Sequence, residues 1–204
     1  MKKSVLSILV LCLLAGYSMG GNEKTIANLK DAYKGESTAS AKYAAYAEQA
    51  RKEGLVPIAI LFTATSKSEA IHASNHKVVL VRLVQKVDAV KPEFTVKTTK
   101  ENLEDAAKGE SYEITTMYPG FVTTAKEEGV TDGAKSMRWA LDTEKNHLIL
   151  YNKALEALKT GKVGSLSKLY WVCPKCGNTF DVKKPAKECP LCGTASSKYI
   201  KFDK

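Results

Sequence analysis

The sequence predicts a mainly α-helical protein, in which a four-helix bundle with one long crossover is followed by a small cysteine-rich domain. A thirteen-residue stretch occurs twice, as TIANLKDAYKGES at 25–37 and as TKENLEDAAKGES at 99–111, with nine identical positions. Two CxxC pairs follow within residues 173–193. A duplicated helical hairpin predicts two antiparallel pairs of helices. Four closely spaced cysteines predict a compact metal-binding unit.

The first copy predicts two helices. Apolar residues at helical spacing indicate one helix from Asn22 to about Lys52 and another from about Pro57 to about Val87. Residues 88–98 then lose the helical period. An extended segment of this length reaches about 35 Å, which is close to the length of a helix of about 25 residues. We therefore expect this segment to return the chain along the whole bundle.

The second copy predicts two more helices. Thr98 and Glu101 match the capping-box pattern for a helix from about Lys100 to Glu128. Pro119 and Gly120 are expected to kink or break this helix.

Thr131 or Asp132 is expected to cap the fourth helix, which should end near Thr160. Two helical hairpins joined by one long crossover form the ferritin-like arrangement. This ferritin-like domain is predicted to span residues 21–164.

Residues 1–20 have the outline of a secretory signal peptide. A short basic start precedes an apolar run from Val5 to Ala15, and small residues lie near Gly20. An exported, periplasmic protein is expected, with a cytoplasmic location as the alternative if this leader does not function. No transmembrane segment is expected in the mature chain, and Cys12 would leave with the leader.

The formal charge of +9 indicates a basic surface. The sequence contains no run of five like charges, so we interpret this surface as a solvated lysine-rich face. A nucleic-acid partner is therefore not expected.

Each copy carries a glutamate inside the repeat and an ExxH motif further along. A Glu and a His three residues apart project from one face of a helix. Two such pairs with two further glutamates, from four helices, form the ligand set of a two-metal carboxylate site. Glu113 adds a carboxylate where the first copy has Ala39, and His76 is predicted to have a core or supporting role. The candidate bundle ligands are Glu36, Glu69, His72, Glu110, Glu113, Glu144 and His147.

The two CxxC pairs predict a tetrahedral four-sulfur metal site within residues 165–204. Zinc ribbons and single-iron sites share this spacing, so the metal stays open. Two disulfides are the alternative for an exported protein, but the close CxxC spacing suits a metal better. The candidate ligands are Cys173, Cys176, Cys189 and Cys192.

The order and spacing of these motifs resemble those of the rubrerythrins over nearly the whole chain. The resemblance implies two iron ions in the bundle, a rubredoxin-like domain with one iron or zinc at the cysteines, and the reduction of hydrogen peroxide to water in oxidative stress defence. It also implies that one iron exchanges Glu113 for His72 on reduction, and that Tyr43 and Tyr118 hydrogen-bond near the site. A homodimer is implied, in which the rubredoxin-like site of one subunit approaches the di-iron site of the other.

Two other functions remain open from the sequence. One is a ferroxidase or iron-handling protein built on the same bundle. The other is a zinc-binding module without redox activity. The resemblance implies a mostly cytoplasmic family that draws its electrons ultimately from nicotinamide cofactors, so an exported member would need another donor, which the sequence does not identify.

Overall fold

The computed structural model describes residues 21–203, which form a helical bundle followed by a three-stranded sheet. The predicted signal peptide lies outside the described residues. None of the helices in the described part of the chain is both long and apolar enough to cross a bilayer. The predicted mainly α-helical class is confirmed. The helices are α1 (Glu23–Lys52), α2 (Val56–Arg82), α3 (Thr99–Tyr112), a π-helix (Glu113–Met117), α4 (Tyr118–Glu127) and α5 (Thr131–Lys159).

The helices α1, α2, α4 and α5 end in the same kind of turn, in which the residue after the helix cap has a positive φ. In α2 this residue is Val84, with a φ of 58°, and the amide of Gln85 donates to the carbonyl of Leu80 at 3.0 Å. Glycine normally occupies this position, because a β-branched residue rarely adopts it. The prediction that α2 continues to Val87 was therefore wrong, since no glycine marks its end. The corresponding residues of α1, α4 and α5 are Gly54, Gly129 and Gly161.

The third long helix of the bundle consists of α3 and α4, which are joined by the π-helix at residues 113–117. The two GES motifs are one residue closer together in sequence than the two ExxH motifs, so the second copy contains one extra residue. A π-helix accommodates one inserted residue without interrupting the course of the helix. The predicted irregularity near Pro119 therefore lies just before it, and Pro119 occupies the first turn of α4, where its missing N–H costs little.

The crossover runs along the whole bundle, as predicted, and it lies beside α1. Near its beginning, Gln85 accepts a hydrogen bond from the Lys30 ammonium group at 3.1 Å. Near its end, the carbonyl of Thr95 accepts one from the Tyr46 hydroxyl at 3.3 Å. These two contacts lie at opposite ends of α1, so the segment spans the bundle.

The two helices of the second copy start differently. The predicted capping box of α3 is present, with Thr98 and Glu101 bonded to each other's backbone N–H groups. The predicted cap of α5 was wrong, because the residue before this helix is Val130 and no side chain caps it. Asp132 instead pairs with Arg82 of α2 at 2.7 Å.

Two equivalent glutamates of the repeat close the bundle at its ends. Glu128, after α4, accepts a hydrogen bond from the amide of Thr25 at 2.8 Å. Glu53, after α1, accepts one from the amide of Thr99 at 3.0 Å. Each carboxylate satisfies a free N–H in the first turn of a helix from the other hairpin, where negative charge is favoured.

Two apolar clusters fill the bundle and leave a polar layer between them. One cluster contains Tyr43, Phe62 and Tyr151. The other contains Leu29 and Met137. The helices carry their glutamates and histidines into the layer between these clusters, where water is excluded.

The small domain contains an antiparallel sheet in the order β2-β1-β3, formed by β1 (Tyr170–Val172), β2 (Thr179–Phe180) and β3 (Ile200–Phe202). The rings of Phe180 and Tyr199 stack at 5.4 Å beside the cysteines. Tyr170 packs into the bundle core together with Leu166. The small domain is therefore fixed to the bundle through its first strand.

Candidate metal centres

The predicted bundle ligands converge, apart from Glu113, into two groups of four buried residues. Within each group, one potential ligand atom per residue lies within 4.8 Å of all the others. Glu69 and Glu144 belong to both groups. The groups are Glu36, Glu69, His72 and Glu144, and Glu69, Glu110, Glu144 and His147.

The shared carboxylates connect the two groups. His72 Nδ1 lies 2.9 Å from one oxygen of Glu69 and 2.8 Å from one oxygen of Glu144. His147 Nδ1 lies 3.0 Å and 2.7 Å from the other oxygens of the same two residues. Each shared carboxylate therefore presents one oxygen to each imidazole, which is the arrangement that bridges two metal ions.

The polar atoms of this site are arranged to bind cations rather than to form hydrogen bonds with one another. Both oxygens of Glu69 and of Glu144, and Nδ1 of both histidines, are buried without a hydrogen-bond partner among the described residues. Several buried carboxylates without cations would be strongly unfavourable. Carboxylate and imidazole ligands suit iron and other first-row transition metals. The ligand set therefore fits two such ions.

The electrostatics of the site without metal show the same strain. Burial raises the pKa of Glu36 to about 8, and the negative charges of Glu144 and Glu69 add to this effect. Burial would also raise the pKa of Glu144, but His72 and His147 lower it to about 2. Without metal, protons and the two imidazoles therefore compensate the buried carboxylates, and two bound cations would take over this role.

The small domain orients both imidazoles. His72 Nε2 donates to the carbonyl of Cys176 at 3.1 Å, and His147 Nε2 donates to the Thr179 hydroxyl at 3.0 Å. With metal bound, these bonds would keep the imidazole proton on Nε2 and leave Nδ1 free to hold the ion. Such outer contacts fix the orientation and the tautomer of metal-binding histidines.

Two buried tyrosines hold the terminal carboxylates. Tyr43 donates to Glu110 at 2.9 Å, and Tyr118 donates to Glu36. The resemblance to the rubrerythrins implied hydrogen bonds near the site for both tyrosines. Each bond leaves the second oxygen of its carboxylate buried without a partner among the described residues and available to a metal.

Glu113 lies at the start of the π-helix, beside the site and partly exposed. Although the residue is partly exposed, the removal of its carboxyl group from water and the negative charges of Glu36 and Glu110 raise its pKa well above the usual range. It belongs to neither group of four, whereas His72 does. This is the arrangement that the predicted exchange assigns to the reduced site, and ligation by Glu113 stays a prediction.

The four cysteines meet as predicted and are free thiols, so the disulfide alternative is not seen. Two Sγ–Sγ distances, between Cys173 and Cys192 and between Cys176 and Cys189, are both 3.5 Å. These separations suit a tetrahedral ion with metal–sulfur bonds of about 2.3 Å.

One of the two cysteine turns is pressed against the bundle site. The carbonyl of Gly177 accepts a hydrogen bond from the Ser68 hydroxyl at 2.7 Å. A Cβ atom at Gly177 would lie only 2.3 Å from His72 Nε2. The two metal centres are thus adjacent within one chain, connected in part by the backbone of Cys176 and Gly177, whereas the family resemblance implied an approach between subunits.

Comparison with known proteins supports this assignment of the site. The sequence model of the rubrerythrin family matches residues 27–155. The chain belongs to the rubrerythrin family. Rubrerythrin-1 of Clostridium acetobutylicum is 36% identical over 174 residues, which cover 83% of this chain and 89% of that protein. A rubrerythrin of Porphyromonas gingivalis is 35% identical over 170 residues, covering 83% and 85%.

Solved structures lead to the same family. Nigerythrin in its fully reduced, all-ferrous state matches with a TM-score of 0.79 and 27% identity, over 99% of this chain and 100% of that one. Mixed-valence nigerythrin matches with a TM-score of 0.78 and 30% identity, over 87% and 86%. Membership of the rubrerythrin family indicates that the bundle site is of the di-iron type and that the chain is an oxidoreductase.

The residues that join the two centres were not found from the sequence. Ser68, Thr179 and Gly177 act only through the docking of the small domain on the bundle, which no local pattern encodes. The supporting role predicted for His76 agrees with its position, because its ring is fully buried between Tyr118 and Ser136.

Proposed function

We propose that this rubrerythrin is a non-haem di-iron peroxidase in oxidative stress defence, which reduces hydrogen peroxide to water with electrons delivered through an iron held by the four cysteines. Two bound iron ions would supply the two electrons that each peroxide consumes. The residues that would hold them are the two groups of four described above. This rubrerythrin would act as a homodimer, and its electron donor is unidentified.

The observation that carries the proposal is the contact between His72 and the carbonyl of Cys176, at 3.1 Å. A storage or ferroxidase site needs no second redox centre at this distance. Here one imidazole is bonded to the backbone of a cysteine ligand. This hydrogen bond leads directly from a predicted bundle ligand to the backbone of a predicted cysteine ligand, which supports electron delivery between the two centres.

The bundle also favours a small, uncharged substrate. The carboxylates lie in a layer between two apolar clusters, and the side chains of Glu69, His72 and Glu144 are 98% or more shielded from solvent. Hydrogen peroxide is small and neutral, so it can enter such a layer more easily than a bulky or charged substrate can. Tyr43 and Tyr118 are positioned to hold the terminal carboxylates while the substrate binds.

The test compares two oxidants. The protein is loaded with iron without oxygen, reduced, and mixed with hydrogen peroxide or with oxygen while its visible spectrum is followed. A ferric four-thiolate site is strongly coloured, so its reoxidation can be read directly. We expect hydrogen peroxide to reoxidise the protein much faster than oxygen does, and comparable rates would contradict the proposal.

The same preparation distinguishes the other functions. A ferroxidase would oxidise added ferrous ion over many turnovers and retain the ferric product. A zinc module would be colourless and contain zinc alone. Cys189→Ser provides a control, because it should abolish the coloured site and slow repeated turnover while the bundle still binds two ions.

A further inference from the structure

A chain of hydrogen bonds leads from the protein surface to Glu36. Ser136 of α5 is bonded to His76 Nδ1 at 2.8 Å. His76 Nε2 is bonded to the Tyr118 hydroxyl at 3.1 Å, and Tyr118 donates to Glu36. His76 and Tyr118 have no exposed surface, whereas Ser136 is 5% exposed. Only the serine end of this chain therefore reaches water.

Ser136 lines a surface cavity of about 260 Å³ between α2, α5 and the small domain. Charged side chains from both helices and the small domain line it together with the apolar side chains Val78, Val79 and Trp139; the charged ones are Arg82, Asp132, Lys135 and Lys175. A cavity of this size holds several water molecules. Water can therefore contact the Ser136 hydroxyl, while His76 and Tyr118 remain shielded from solvent.

We propose that Ser136, His76 and Tyr118 form a proton relay, which carries protons from this cavity to Glu36 during turnover. The inference rests on the proposed peroxidase function, because each peroxide reduced to two waters consumes two electrons and two protons. The electrons arrive through the cysteine site. The relay is the complementary path for protons.

The neighbours of His76 fix the direction in which the chain donates. Tyr118 gives its hydroxyl proton to Glu36, so its oxygen must accept from His76 Nε2–H. The imidazole then has an unprotonated Nδ1, which accepts from the Ser136 hydroxyl. Burial is the main cause that lowers the pKa of His76 to about 3, so the ring stays neutral. Every donor in the chain therefore points inward.

One proton crosses the relay when each member gives a proton to the next and receives one from the previous. The Tyr118 O–H bond breaks as an O–H bond forms on Glu36, and His76 Nε2–H reprotonates Tyr118. Ser136 reprotonates His76 at Nδ1, and a hydrated proton in the cavity reprotonates Ser136 and becomes neutral water. No member ionises permanently and no electron moves. Afterwards the hydrogen bonds point outward, until the carboxyl proton is consumed at the site and the side chains reorient.

Among the residues that the structure describes, the other half of the duplicated bundle has no equivalent path. Tyr151 occupies the position equivalent to His76, and its hydroxyl donates to Thr65 at 2.7 Å. Thr65 is fully buried, and its own hydroxyl is bonded to backbone carbonyls of α2. The hydrogen bonds recorded there end inside the core, so the divergence of the two copies placed the relay on one side only.

The test uses two variants of nearly equal shape, Ser136→Thr and Ser136→Val. Threonine keeps the hydroxyl, whereas valine replaces it with a methyl group that also keeps water away from His76 Nδ1. The zinc-loaded protein is diamagnetic, so nitrogen-detected nuclear magnetic resonance can follow the ring proton of His76. The chain has only three histidines, which simplifies the assignment.

We expect His76 to carry its proton on Nε2 in the wild type and in both variants. Exchange of this proton with water should be slower in Ser136→Val than in Ser136→Thr, on the order of tenfold or more. Equal exchange rates, or a proton on Nδ1, would overturn the relay. Zinc content and amide protection should match in the two variants, which separates loss of the hydroxyl from loss of the fold.

Catalysis provides the second measurement. With iron-loaded protein, Ser136→Val should slow reoxidation by hydrogen peroxide and increase the solvent deuterium isotope effect, whereas Ser136→Thr should not. Unchanged reoxidation in Ser136→Val would overturn proton delivery by this route. If the wild type fails to react with hydrogen peroxide, the proposed function fails, and the exchange experiment still decides whether the relay conducts protons.

Discussion

The contact between the Gly177 turn and the bundle can be broken by one methyl group. In Gly177→Ala the new Cβ would lie 2.3 Å from His72 Nε2 and 2.8 Å from the Ser68 hydroxyl oxygen. Both neighbours are buried and hydrogen-bonded to this turn. Neither can move aside without losing its bond, so the turn itself must move away from the bundle.

The size of the effect follows from three contributions. Gly177 has a φ of +82°, and an alanine in this conformation costs about 1 kcal/mol. Loss of the bonds to Ser68 and His72 costs about 1 kcal/mol each. The free energy of unfolding should therefore fall by about 3 kcal/mol.

The equivalent glycine of the second cysteine turn provides a matched control. Gly193 has a φ of +70°, but a Cβ there would meet no atom within 4 Å. Gly193→Ala should therefore cost only the backbone contribution of about 1 kcal/mol. Urea unfolding of the zinc-loaded variants, followed by circular dichroism, measures both values.

The functional consequence is measured on iron-loaded protein. Gly177→Ala should slow reoxidation of the cysteine-bound iron by hydrogen peroxide, because the bond between His72 and Cys176 is lost. Gly193→Ala should not slow it. Equal stability and equal reoxidation rates in the two variants would refute the inferred contact between the centres.

Three other outcomes are expected. Val84→Gly should raise the free energy of unfolding by about 1 kcal/mol, because Val84 has a φ of 58° at the end of α2. Val78→Gly, inside this helix, should lower the free energy of unfolding by a similar amount. Urea unfolding of both variants measures these opposite changes. Thr98→Ala should lower the free energy of unfolding by about 1 kcal/mol, and the melting temperature with it, through loss of the capping box of α3. An unchanged melting temperature would argue against the cap. Co-expression of Glu69→Gln with Cys176→Ser should not restore peroxide turnover, because the two centres meet within one chain; restored turnover would instead mean that they meet between subunits.

The bundle and its ligands could be predicted because the chain repeats itself. A single ExxH motif is weak, but two at equivalent positions of a repeat indicate a two-fold site on four helices. Helix periodicity then directs these side chains inward without knowledge of the packing. The capping box at Thr98 and the long crossover were equally local, since each depends on a few neighbouring residues.

The features that sequence reasoning missed depend on contacts between distant segments. The equivalence of Glu53 and Glu128 was visible in the repeat, but not their bonds to Thr99 and Thr25 at the opposite ends of the bundle. The end of α2 was missed because Val84 adopts a conformation that normally requires glycine. The docked cysteine turn leaves no periodic signal, because its fit against His72 depends on a missing side chain at Gly177.

The two halves of the metal site derive from the duplication, but they differ in their contacts with the proposed proton relay and with the cysteine site. The first group contains Glu36 and His72, which are bonded to Tyr118 and to the carbonyl of Cys176. The proposed proton relay and the backbone of a cysteine ligand therefore meet at the same group. The second group contains His147, which contacts the small domain through a threonine hydroxyl, two residues beyond Gly177. If peroxide reduction needs protons and electrons at the same place, loss of the relay should slow the reaction at the first group more than at the second. The two groups are still coupled, because Glu69 and Glu144 belong to both.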